Sequence, residues 1–213
     1  MEIDIAGLID FTLLKPNADT GMFKKLCAEA VKYKFYSVCI PPYMIKECVG
    51  FLEGSGVKIC TVAAFPLGYE ESSVKADEIA SAVKSGADEI DAVMNVSAFK
   101  SEKTDYVKNE FGILRKAAGS KILKIIIETC WLTAGEIASA SKLVEESGAD
   151  FIKTSTGFGP YGARAEDIAL IKSSTGPEMK IKASGGVKSY GQALELIRAG
   201  ASRIGTSSLL LRP

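Results

Sequence analysis

Eight short β-like runs alternate with longer amphipathic segments along this chain, and that alternation limits the fold more than any other feature. The runs are 8–13 (LIDFTL), 36–40 (YSVCI), 57–63 (VKICTVA), 89–94 (EIDAVM), 122–128 (ILKIIIE), 150–154 (DFIKT), 179–183 (MKIKA) and 203–206 (RIGT). They are rich in Ile, Val, Phe and Thr, and several are nearly continuous in apolar residues, which suits strands of a parallel sheet covered on both faces. Helical spacing fills the gaps. Phe23, Leu26, Cys27, Ala30 and Val31 form a stripe in 19–34, and Val74, Ile79, Ala82 and Val83 form one in 70–85. Thr133 with Glu136 has the offset of a capping box, ahead of Ile137, Ala140, Leu143 and Val144. Ala193, Leu194 and Ile197 mark a helix over 190–199.

Three of these helices run into one signature: SGAD at 85–88, SGAD at 147–150 and AGAS at 199–202, each followed at once by a strand run. Glycine just past a helix end supplies the left-handed cap that turns the chain into the next strand. The recurrence is a weak internal repeat of a βα unit. Eight such units predict an α/β fold, a (β/α)8 TIM barrel, as a single domain over 1–213. Only 207–213 follow the last run, so the last helix is expected to be short or missing. A doubly wound open sheet is the alternative.

Several function classes fall away on composition. Lys plus Arg and Asp plus Glu both total 26 in 213 residues, so the formal net charge is zero. That balance argues against nucleic acid or an anionic membrane surface as a partner. The N-terminus has no basic segment ahead of its apolar residues, and no apolar run approaches a membrane span. A cytoplasmic protein is expected. The five cysteines, Cys27, Cys39, Cys48, Cys60 and Cys130, are odd in number and contain no C-x-x-C pair. They read as core thiols rather than a disulfide framework or zinc cluster, with Cys39 and Cys130 near strand ends where they could face a site. Histidine is absent. Ser-His-Asp and Cys-His mechanisms, H-E-x-x-H metallohydrolases and histidine-ligated metal aldolases are thereby excluded.

In a barrel of this kind, chemistry sits at the C-terminal ends of the strands. Lysines occur there in matched contexts: Ile-Lys-Thr-Ser around Lys153 and Ile-Lys-Ala-Ser around Lys182. Period-two alternation places Phe151, Lys153 and Ser155 on one face, and Lys180, Lys182 and Ser184 likewise. With the isoleucines packed outward, both lysines point into the barrel from neighbouring strands. Close like charges and desolvation are expected to lower one of them toward neutrality. A neutral amine attacks a carbonyl and forms a Schiff base, and Asp91 is placed to move protons. Which lysine is the nucleophile stays open on this argument. Glu128 is expected to pair with a barrel lysine rather than act as the base.

The segment Gly157-Phe-Gly-Pro-Tyr-Gly162 matches G-x-G-x-x-G, but Pro160 interrupts it and no acidic residue ends the next strand, which argues against a dinucleotide site. Ser184-Gly185-Gly186 and Gly205-Thr206-Ser207-Ser208 are better phosphate candidates, because the loops after strands seven and eight commonly bind phosphate in this fold.

With these residues laid out, the chain resembles the deoxyribose-phosphate aldolase family over nearly its whole length. The motifs are IDFTLLKP at 9–16, FPLG at 65–68, GADEIDAVMN at 86–95, IIIETCWLT at 125–133, GADFIKTSTGFG at 148–159, KASGGV at 182–187 and GASRIGTSS at 200–208. The resemblance implies a class I aldolase, needing no metal and no cofactor. It would cleave 2-deoxy-D-ribose 5-phosphate to acetaldehyde and D-glyceraldehyde 3-phosphate, reversibly. It implies Lys153 as the Schiff-base lysine, with Lys182 and Asp91 as proton donor and acceptor groups. Gly185, Gly186, Gly205, Ser207 and Ser208 would hold the phosphate, with Gly157 beside them; Asp10, Thr12 and Thr156 would line the substrate pocket. A homo-oligomer, most often a dimer, is implied as well. The chain departs from the family in having Phe11 where histidine is common, Pro41 where asparagine is common, and a short C-terminus. A different Schiff-base barrel enzyme and a non-catalytic sugar-phosphate-binding barrel are the competing readings.

Overall fold

The computed structural model describes residues 4–208. Its eight strands are β1 (Ile9–Thr12), β2 (Ser37–Ile40), β3 (Lys58–Ala63), β4 (Glu89–Val93), β5 (Ile122–Ile126), β6 (Phe151–Lys153), β7 (Lys180–Ser184) and β8 (Arg203–Thr206). They close into a barrel in sequence order, every neighbouring pair is parallel, and β1 pairs with β8. Closure rules out the open doubly wound sheet. Each strand lies within a residue or two of its run. The largest difference is β5, which stops at Ile126; Glu128 turns into the left-handed region at φ 53° and leads the chain out of the sheet.

The helices are α1 (Thr20–Lys32), α2 (Ile45–Phe51), α3 (Ser72–Ser85), α4 (Val96–Lys100), α5 (Thr104–Ala118), α6 (Ala134–Glu146), α7 (Ala165–Ser174) and α8 (Tyr190–Ala199). Asp19 caps α1 by accepting the Met22 N–H, and the Thr133–Glu136 capping box forms at α6. The repeated glycine signature does what its position predicts: Gly86, Gly148 and Gly200 have φ of 112°, 74° and 124° and send the chain into β4, β6 and β8. The expected short last helix belongs to 207–213, of which 209–213 lie outside the described residues.

Alternation divides each strand between two environments. Outward residues such as Ile90, Ala92, Ile125, Ile152, Ile181, Ala183 and Ile204 pack with the helices in one large apolar shell. Phe11 belongs to that shell, its ring edge-on to Phe35 at 5.3 Å. The residue that replaces the family's histidine therefore packs between strand and helices rather than facing the interior. Pro41 precedes a single 3-10 turn, Pro42–Met44, that leads into α2. Inward residues are largely polar, and they build the site.

Candidate active site

Asp91 on β4 is the hub of the interior. Its Oδ2 accepts hydrogen bonds from Lys153 Nζ at 2.8 Å and Lys182 Nζ at 2.7 Å, and its Oδ1 accepts from Lys124 Nζ at 2.9 Å. The strand register explains the convergence: Lys153 is level with Lys182 across β6 and β7, and Asp91 is level with Lys124 across β4 and β5. A second tier adjoins it. Asp10 contacts Lys182 at 2.5 Å, accepts from Arg203 at 2.7 Å and from the Ser37 hydroxyl at 2.7 Å. Glu89 pairs with Lys124 and, at 3.0 Å, with Arg203. Four cations thus face three carboxylates, and each of the seven side chains is buried or nearly so. Burial of charge on this scale is tolerated only because every member is paired.

The pairing sets the ionisation states. Burial pushes the Asp91 carboxyl up, but Lys124, Lys153 and Lys182 outweigh it and hold Asp91 well below the usual carboxylate range. Asp10 is lowered in the same way, burial being overcome by Lys182, Lys124 and Arg203. Burial works against the Lys182 ammonium, yet Asp10 and Asp91 overcome it and raise Lys182 well above the ordinary lysine value. Of the two lysines, one of which was expected to be lowered, Lys182 is the one held charged. The carboxylates between the two amines matter more than the amines do to each other.

Above this layer, at the C-terminal mouth, lies a cavity of about 260 Å³. Lys153 and Lys182 reach its floor, and Thr12, Thr156, Gly157, Gly185, Gly186, Gly205 and Ser207 line it. Gly205 has a steric reason to be glycine. A Cβ there would stand 2.9 Å from Ser184 Cβ and 3.1 Å from Lys182 Cε, so it would press on the lysine stem. Gly162 and Gly185 make a closer approach, where a Cβ on Gly162 would lie 2.1 Å from the Gly185 carbonyl oxygen. Ala163 N–H donates to the Ser184 and Gly185 carbonyls nearby. The glycine-rich segment of 157–162 therefore seats the loop after β6 on the loop after β7.

Three placements differ from the sequence reading. Asp10 does not line the cavity; it is fully buried in the charged layer, held there by Lys182 and Arg203. Ser208 is outside the lining, and its N–H bonds back to Thr206 Oγ1 at 3.0 Å. Glu128 pairs with no barrel lysine: its left-handed backbone carries the carboxylate toward the Thr156 N–H, which donates to both oxygens at 3.2 Å. Lys124, Glu89 and Arg203 were not anticipated as site residues. Each is a charge at an inward position of its strand, which is the signal that would have found them. Lys15 and Lys188 also line the cavity and add positive charge to its rim.

Two groups bring potential metal ligands within 4.8 Å of one another: Cys39, Cys60 and Asp91, and Asp10, Cys60 and Glu89. Their carboxylates already hold ammonium or guanidinium groups, which a cation would have to displace. Among the described residues no helix is long and apolar enough to cross a membrane.

This constellation has close counterparts. The model of the DeoC/LacD family aldolases matches residues 8–210. The deoxyribose-phosphate aldolase of Dictyoglomus turgidum is 49% identical over 205 residues, covering 96% of this chain and 94% of the relative. That of Brevibacillus brevis is 50% identical over 200 residues, covering 94% and 90%. Among solved structures, the aldolase QR15 superposes with a TM-score of 0.93 at 43% identity, over 97% of this chain and 92% of that one. The deoxyribose phosphate aldolase of Aeropyrum pernix, described as a tetramer, gives 0.89 at 33% identity, over 95% and 86%. With the family model spanning nearly the whole barrel and both lysines on its floor, the chain belongs to the DeoC/LacD aldolase family.

Proposed function

We propose that this chain is a class I aldolase, a carbon–carbon lyase that cleaves 2-deoxy-D-ribose 5-phosphate to acetaldehyde and D-glyceraldehyde 3-phosphate, reversibly, through a Schiff base on Lys153. The observation that carries the reading is the floor of the cavity. Two lysines enter it side by side, and both are tied to one carboxylate beneath.

The chemistry follows from that placement. Lys153 Nζ attacks the C1 carbonyl of the open-chain sugar, and loss of water leaves an iminium. Removal of the C3 hydroxyl proton breaks the C2–C3 bond, and its electron pair moves into the iminium to form an enamine. The three-carbon aldehyde departs. Protonation of C2 and hydrolysis then free acetaldehyde and restore the amine. Lys182 and Asp91 are the proton donor and acceptor groups of these steps, taking up the C3 hydroxyl proton and returning one to C2, and Asp91 also orients both amines from below. Thr12, Thr156, Gly157, Gly185, Gly186, Gly205 and Ser207 form the substrate and phosphate wall, with turn N–H groups offered to the phosphate. On the same reading residues 1–213 are one aldolase domain working in the cytoplasm as a homo-oligomer. We favour a dimer, which light scattering of the purified chain would separate from a tetramer.

Borohydride reduction in the presence of 2-deoxyribose 5-phosphate, followed by peptide mass spectrometry, tests the assignment. A stable adduct on Lys153 is expected. No adduct, or one on Lys182 alone, refutes it.

A further inference from the structure

The mechanism leaves two buried thiols unused beneath the cavity. Cys39 on β2 and Cys60 on β3 are register partners, and neither is exposed at all. Both sulfurs and an Asp91 carboxylate oxygen lie within 4.8 Å of one another. Cys60 Sγ donates to Asp91 Oδ1 at 3.3 Å and accepts from Lys124 Nζ at 3.5 Å. Register partners on adjacent strands sit about 4.8 Å apart, inside the roughly 4.4–6.8 Å range over which Cα atoms are bridged by a disulfide. Both side chains point inward, so no strand has to rotate to bring them together.

We infer that Cys39 and Cys60 form an oxidative modification site, closing to a disulfide when a hydroperoxide enters the cavity and so disabling the charged layer. The two thiols are unequal in the way such a reaction needs. The Cys60 sulfur alongside lowers the Cys39 thiol, against burial and with help from Lys182. Burial, the Cys39 sulfur and Asp91 hold Cys60 well above the ordinary thiol value. Cys39 is the attacking sulfur and Cys60 the resolving one. The remaining thiols lack this setting. Cys27 and Cys48 meet in the outer shell between α1 and α2, and Cys130 is pushed up to about 11 by burial and by Glu128. Neither thiol lines the cavity; the pair packs against Leu14 and Phe65, and Leu14 does line it, so the peroxide has to reach the pair past Leu14. Hydrogen peroxide is little larger than water.

The step balances. Cys39 sulfur attacks one peroxide oxygen, the O–O bond breaks, and the departing oxygen leaves as water with the thiol proton. Cys39 then carries a sulfenic acid. Cys60 sulfur attacks the Cys39 sulfur, the S–O bond breaks, and the leaving hydroxide takes the Cys60 proton as a second water. The thiols lose two electrons in total, and the peroxide is reduced to two waters. The product deprives Asp91 Oδ1 of the Cys60 donor and Lys124 of the thiol acceptor. The carboxylate that orients both lysines is thereby displaced.

The test treats the purified wild-type chain with hydrogen peroxide and maps peptides without reduction. The expected result is a peptide joining Cys39 to Cys60, lighter by two hydrogen atoms. Aldolase activity should fall roughly 100-fold, the scale of a small misplacement of a catalytic group, and dithiothreitol should restore it. Cys27→Ser should change neither the link nor the loss. Cys60→Ser should stop at a Cys39 sulfenic acid captured by dimedone. A link confined to Cys27 and Cys48, or a Cys39–Cys60 link with activity intact, overturns the inference. The activity arm rests on the proposed aldolase function. The mapping arm does not, so failure of one is distinguishable from failure of the other.

Discussion

Lys124 shows how much a single buried charge can organise. It holds Asp91 Oδ1 at 2.9 Å and pairs with Glu89, so removing it leaves two fully buried carboxylates short of a partner. Lys124→Met should cost about 3–5 kcal/mol of stability, the usual result of breaking a buried pair from one side, and should lower turnover as Asp91 shifts. Denaturant unfolding measures the first. A loss below about 1 kcal/mol, the range of exposed pairs, would show that the layer does not depend on this lysine. Lys153, Lys182 and Asp91 were legible in the sequence because period-two alternation assigns a face without any tertiary information. Lys124 sits in an equally clear pattern, ILKIIIE, at the same middle position of its strand as Asp91 and Lys182. Reading the run as ending in Glu128 drew attention to that carboxylate and away from the lysine. Asp10 was assigned to the pocket on the resemblance alone, and alternation could not check it because it gives a face and not a depth. Its height in the barrel depends on the β1–β8 register, which no local pattern contains.

At the scale of elements, two loops approach each other closely over the cavity. The approach of Gly162 to Gly185 ties the β6–α7 loop to the cavity-lining turn after β7, the proposed phosphate side. Gly162→Val should force those two loops apart and raise KM for the phosphorylated sugar more than it lowers kcat. Cleavage of unphosphorylated 2-deoxyribose should change much less. Steady-state kinetics on both substrates decides this, and equal losses on the two would rule out a phosphate-side effect. The strands and the glycine caps were readable because each obeys a local rule. Helix α5 carries its own stripe of Val107, Phe111, Leu114 and Ala118, yet it follows the short α4 with little punctuation between them. Helix α2 has seven residues, too few for periodicity to declare itself.

The molecule as a whole carries its charge chemistry inside, and that gives stability a defined pH window. Asp10 and Asp91 are lowered on folding, so their contribution is present above the unfolded aspartate value of about 3.9. It is lost as pH falls through the lower folded values. Lys182 and Lys124 are raised, so theirs is present below the unfolded lysine value of about 10.4 and is lost as pH rises through the folded ones. The Tm should therefore stay nearly level from about pH 5 to pH 9 and drop steeply below about pH 4. Scanning calorimetry across that range checks it, and a Tm that climbs on acidification would contradict the ionic layer.

Asp10 and Arg203 bond across 193 residues of chain, one on the first strand and one on the last. During synthesis the N-terminal strands emerge long before Arg203 exists, so the interior carboxylates wait for a counter-ion still to be translated. Every half-barrel on the ribosome is open at both edges and carries unbalanced charge in what will become its centre. An open ring lacks Arg203 against Asp10 and Glu89, so pairing of β8 with β1 is what completes the charged layer. A truncation that removes this one four-residue strand should then be as damaging as the loss of a far larger segment.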